Sequence, residues 1–94
     1  MSKIRHLIQI LNPSGLHARP AAKIVKVASQ FTSHIEISFE TKTANAKDMI
    51  EIMMLGATQH SWVELLISGN DLLENQRALL QLTTLFNDCC EISA

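Results

Sequence analysis

Three stretches of the chain alternate between apolar and polar residues, and three others carry the marks of helices. Ile4, His6, Ile8 and Ile10 alternate with Arg5, Leu7 and Gln9, and the period of two predicts a strand. Ile35, Ile37 and Phe39 alternate with Glu36, Ser38 and Glu40 and predict a second. Val63, Leu65 and Ile67 share one face of a third, from Trp62 to Ser68. A further short strand, with a weaker pattern, is expected near 42–46. Between them, Ala21, Ile24, Val25 and Ala28 recur at spacings of three and four and predict an amphipathic helix over about 18–29. Asp48 to Leu55 reads as a short helix, because Asp48 suits an N-cap and Gly56 a C-cap. Leu72, Gln76, Leu79, Leu82 and Phe86 mark a last helix over about 71–87. Turn residues Asn12-Pro13-Ser14-Gly15 and Gly69-Asn70-Asp71 separate the elements.

The predicted order is β-α-β-β-α-β-α, an α+β arrangement in which a four-stranded antiparallel sheet carries its helices on one face. The other face is left to water, with Leu7, Trp62 and Leu66 on it. The length of 94 residues fits a single domain over 1–94 with a short tail from 88 onward. No apolar run reaches the roughly 18–20 residues of a membrane span. Met1-Ser2-Lys3-Ile4-Arg5-His6 is not followed by the apolar block of a signal peptide, so a cytoplasmic protein with no membrane insertion is expected. Cys89 and Cys90 are adjacent and cannot staple a fold, and reduced thiols are expected there. The four histidines, His6, His17, His34 and His60, lack metal-ligand spacing, and no metal or cofactor is expected. The net charge of −1 argues against nucleic acid as a partner. Its distribution is uneven: Lys3, Arg5, Arg19, Lys23 and Lys26 stand in residues 1–30 without a single acid. That third of the chain suits a negative ligand or partner.

The chemistry concentrates in Gly15-Leu16-His17-Ala18-Arg19-Pro20-Ala21-Ala22, where a glycine turn leads into a helix. The first N–H groups of a helix, here those of Ala18 and Arg19, lack intrahelical acceptors and carry the positive end of its dipole. A phosphate is well held in such a place. Arg19 adds a forked donor that matches phosphate oxygens. Pro20 lies in the first turn, where its missing N–H costs nothing, although it biases Arg19 away from helical angles. A neutral imidazole beside an anion site is a nucleophile for a phosphoryl group, and the surrounding donors stabilise that group during transfer. No second acid or base in the segment directs water at the product, which fits a carrier better than a hydrolase. A histidine that serves only as a cap or turn residue is the competing reading for His17.

The octapeptide resembles the active-site signature of HPr, the histidine-containing phosphocarrier family of the bacterial phosphoenolpyruvate-dependent sugar phosphotransferase system. Phe31-Thr32-Ser33 with its following strand, Ala46-Lys47-Asp48, and Leu55-Gly56-Ala57-Thr58-Gln59 are also similar to the family, so the likeness runs over about 3–87. The resemblance implies an open-faced β-sandwich of four antiparallel strands under three helices. It implies that His17 accepts a phosphoryl group on Nδ1 from phosphorylated Enzyme I and passes it to a histidine of a IIA protein. Arg19 then matches the family's active-site arginine. Met49, Ile50 and Met53 match its apolar docking surface, while Ile52 and Leu55 are expected in the core. Lys23, Lys26 and Lys47 are expected to supply the electrostatic part of docking. Asp48 stands where many members carry a regulatory serine, and it cannot be phosphorylated as one. With Glu51 it has the spacing of a capping box, the aspartate accepting from helix N–H groups and the glutamate reaching back. His60 stands where glycine is common. A monomer is expected.

Three readings compete. The first is a carrier of the sugar system or of its regulatory nitrogen-related branch. The second is a small phosphatase built on Arg19 and the helix start. The third is an RNA-binding open sheet, which needs aromatic residues that this chain, with three Phe, one Trp and no Tyr, scarcely has.

Overall fold

A computed structural model describes residues 2–88. The strands are β1 (Ser2–Gln9), β2 (His34–Phe39), β3 (Lys42–Asn45) and β4 (Trp62–Gly69), and the helices are α1 (Ala18–Ala28), α2 (Met49–Met54) and α3 (Leu72–Asp88). Every predicted element is present, with ends shifted by a few residues. Cys89 and Cys90 lie outside the described residues.

The strands form one antiparallel sheet in the order β1-β4-β2-β3. Ile8 of β1 faces Val63, and Ile35 and Ile37 of β2 face Ile67 and Leu65. These β-branched and leucine side chains cover one face with a layer that is almost wholly buried. Each contributes about 1.5–3 kcal/mol relative to exposure. The helices lie on this face. α1 lays Pro20, Ala21, Ile24 and Ala28 against it. It touches α2 on one side and α3 on the other.

Leu7 and Trp62 stand on the open face, about 60% exposed, and Leu66 beside them is half-buried. His6 shares its face with Ile8 yet is exposed, because β1 is an edge strand.

The core face of α3 differs from expectation. Leu72 and Gln76 are exposed, and the buried stripe is Asn75, Ala78, Leu82 and Phe86. The helix is rotated so that Asn75, fully buried, can meet the end of β4 and the start of β2. Ser33 Oγ donates to Asn75 Oδ1 at 2.6 Å, and Asn75 Nδ2 donates to the Gly69 carbonyl at 3.3 Å. One residue earlier, Glu74 accepts from the Thr32 hydroxyl and from the Thr32 N–H. The two bonds, the hydroxyl's first, hold the Glu74 carboxyl below its ordinary value of 4.5.

Candidate phosphoryl-acceptor site

The segment before α1 is shaped by Asn12, a turn residue whose side chain is buried. Its carbonyl accepts from the Gly15 N–H at 2.9 Å, and its Nδ2 donates to Ser14 Oγ at 2.8 Å and to the Gly15 carbonyl at 2.9 Å. Gly15 takes φ +67°, and a Cβ there would lie 2.4 Å from the Ala57 carbonyl oxygen. Only glycine fits, on both counts. Leu16 then donates its N–H to that Ala57 oxygen at 3.1 Å and buries its side chain in the core. With Leu16 turned inward, His17 is turned outward and is exposed.

His17 occupies the N-cap of α1 with extended backbone (φ −84°, ψ −170°). Its carbonyl accepts the first helical bond, from the Ala21 N–H at 2.9 Å. Its ring makes no capping hydrogen bond to the helix. A capping side chain bonds to the first turn, and the His17 ring does not. Arg19 is helical despite the proline that follows. Pro20 is the third helical residue, where no donor is required. The first turn contains no acid, so nothing within it offsets the positive end of the dipole. Arg19, Lys23 and Lys26 are all exposed on this helix.

A second segment, 57–61, clamps the first. Ile10 donates its N–H to the Ser61 carbonyl at 2.9 Å, and the His60 N–H donates to the Ile10 carbonyl at 2.7 Å. Gln59 Nε2 reaches the Leu11 carbonyl at 3.3 Å. His60 makes this turn with φ +73°, the left-handed region that glycine enters without cost. The burial of Asn12 and the pairing of the two segments are not visible in the sequence. A turn cluster is visible there, but which of its side chains is buried depends on residues far along the chain.

The clamp continues directly from α2. Asp48 caps that helix as expected, its Oδ1 accepting from the Glu51 N–H at 3.1 Å. The reciprocal half of the capping box is absent, because Glu51 Oε1 accepts from the Asn45 N–H at 2.8 Å and the Asp48 N–H is already given to the Asn45 carbonyl at 3.0 Å. Ile52 and Leu55 are buried. Met49 and Met53 are half-buried against the core. Ile50 and Met54, 65% and 70% exposed, are the apolar side chains this helix gives to solvent. Two methionines in sequence do not reveal which faces out, so the pattern alone does not mark Met54. Lys47 is half-buried and donates Nζ to the Phe31 carbonyl at 2.7 Å. It is less available for docking than Lys23 or Lys26.

An exposed imidazole at a helix start that contains no acid, entered through a glycine turn, is an arrangement chemically suited to a phosphoryl group. Comparison with known proteins narrows the class. The family model for the PTS HPr component phosphorylation site matches residues 4–88. The phosphocarrier protein HPr of Buchnera aphidicola is 45% identical over 64 residues, which is 68% of this chain and 75% of that protein. The phosphocarrier protein HPr of Neisseria meningitidis is 37% identical over 79 residues, 84% of this chain and 89% of that protein. Among solved structures, the phosphocarrier protein HPr of Bacillus anthracis is similar with a TM-score of 0.82 and 31% identity, covering 92% of this chain and 99% of its own. The chain belongs to the HPr family of phosphocarrier proteins of the phosphotransferase system.

Proposed function

We propose that His17 receives a phosphoryl group from phosphorylated Enzyme I and delivers it to a histidine of a IIA component, in the cytoplasm and as a monomer. The observation that carries this reading is the exposed His17 ring at the N-cap of α1, making no capping bond of its own. The Nδ1 lone pair forms the new N–P bond while the donor's N–P bond breaks and its electron pair returns to the donor histidine. Charge on the transferring group is met by the N–H groups of Ala18 and Arg19 and by the Arg19 guanidinium. The same donors serve the reverse geometry, so the group leaves toward IIA as readily as it arrives. Ile50, with Met49, Met53 and Met54 around it, provides the apolar part of the docking surface, and Lys23 and Lys26 the charged part. Asp48 places a fixed negative charge where other members carry a serine, and its capping bond gives it a structural duty first. The relatives bear the name phosphocarrier protein HPr, which supports the sugar branch over the nitrogen-related one.

Incubation with phosphoenolpyruvate and Enzyme I, followed by intact mass, tests the proposal. The wild type gains one phosphoryl group that acid removes, and His17→Ala gains none. An adduct that persists in His17→Ala rejects it.

A further inference from the structure

The peptide unit joining Gly15 to Leu16 is fixed at both of its polar ends. Its carbonyl accepts from Asn12 Nδ2 at 2.9 Å, and its N–H donates to the Ala57 carbonyl at 3.1 Å. The Asn12 side chain also holds Ser14 Oγ, and the Asn12 carbonyl holds the Gly15 N–H. Asn12 is 4% exposed, so water does not readily replace these bonds. We infer that Asn12 is a positioning residue for phosphoryl transfer: through the Gly15–Leu16 peptide plane it fixes the direction in which the His17 ring leaves the loop.

The inference rests on the carrier reading of His17. In-line transfer needs the ring nitrogen, the phosphorus and the leaving nitrogen aligned, and misplacement of about 1 Å can cost on the order of a hundredfold in rate. The Gly15–Leu16 peptide unit ends at the Leu16 Cα, so a change of ψ at Gly15 swings Leu16 and, through it, the His17 backbone and ring. On the Leu16 side this rotation is opposed by one bond to Ala57. On the Gly15 side the side chain of Asn12 opposes it. Asn12 touches neither the phosphoryl group nor a partner in this scheme. Its influence is on kcat and not on docking, because Ile50, Met54, Lys23 and Lys26 stand on helices that its bonds do not reach.

Asn12→Leu keeps nearly the volume and removes the donor without adding charge. Transfer from phosphorylated Enzyme I, measured with the carrier as varied substrate, is expected to lose about tenfold in kcat while KM stays within about twofold. The assay is run where circular dichroism shows the variant folded. A wild-type kcat per folded molecule overturns the inference, and so does a raised KM with kcat kept. Amide exchange on the wild type is a second measurement, independent of whether Asn12→Leu folds. The Leu16 N–H is expected to exchange as slowly as those inside α1, and exchange as fast as the exposed Ser14 N–H overturns the inference. A wild type that takes no phosphoryl group from Enzyme I defeats the carrier reading instead, a result distinct from both.

Discussion

Gly15→Ala should cost far more than Gly56→Ala, although the two glycines have nearly the same backbone. Their φ angles are +67° and +71°. The left-handed conformation alone penalises alanine by about 1–2 kcal/mol, of which about 0.4–1 is returned through the reduced freedom of the unfolded chain. At Gly56 nothing lies within 4 Å of a built Cβ, so the net loss there should be about 1 kcal/mol. At Gly15 the Cβ would meet the Ala57 oxygen at 2.4 Å and the Thr58 Cα at 2.9 Å, where ordinary contact begins at 3.4 Å. Both atoms are backbone and cannot rotate away. Relief requires the two segments to part, which adds an overpacking cost of about 1–3 kcal/mol and weakens the Leu16–Ala57 hydrogen bond, worth about 1 kcal/mol. Gly15→Ala should therefore lose about 3–4 kcal/mol, a large share of the 5–15 kcal/mol typical of a domain. Urea unfolding of both variants, analysed for midpoint and m-value, measures the difference. Equal losses at the two positions would refute the close approach of residues 15 and 57 as the reason for glycine in the motif.

Asp48→Ala should cost about 0.5–2 kcal/mol by loss of the α2 cap, whereas Asp48→Ser should keep most of that stability, both read by the same unfolding assay. His60→Gly should raise stability by about 0.5–1 kcal/mol, since the φ of +73° no longer carries a side chain; a loss would mean that the His60 side chain stabilises the turn. The Glu74 carboxyl, lowered by Thr32, contributes stability that is full above its ordinary value of 4.5 and is lost as pH falls through the lower folded value. The melting temperature of wild type should thus exceed that of Thr32→Val at neutral pH, and the gap should close in acid; a gap constant with pH would remove Glu74 from the account. Ile50→Glu should weaken Enzyme I binding at every salt concentration, and Lys23→Ala with Lys26→Ala mainly at low salt. Identical salt dependence would reject the division of the docking surface.

The strands were legible because their period is local and strict: Ile35 and Ile37, or Val63, Leu65 and Ile67, can face only one way together. The candidate site stands out at His17 because a glycine turn, a helix start and an arginine fall within a few residues of sequence. What escaped depends on partners far along the chain. Leu72 looks like a core residue until Asn75 is seen to meet Ser33 and Gly69. Glu51 has capping-box spacing but finds the Asn45 N–H within reach. Lys47 reads as a surface charge, yet the Phe31 carbonyl holds its ammonium. In each case a polar side chain chose between a local bond and a non-local one, and the local pattern cannot show the rival.

The sheet order has a consequence for the newborn protein. Ser2 pairs with Gly69 and Gln9 with Trp62, so the first strand made waits for the last. Helix α1 draws on local bonds and can form early, but the loop that aims His17 leans on Ala57 and on the 58–61 turn. The β1–β4 contacts, far apart in sequence, can form only after β4 has been made. A chain still emerging from the ribosome, or cut short before β4, therefore carries the histidine without the scaffold that aims it. On the proposed carrier role of His17, competence to take up a phosphoryl group arrives only with completion of the sheet.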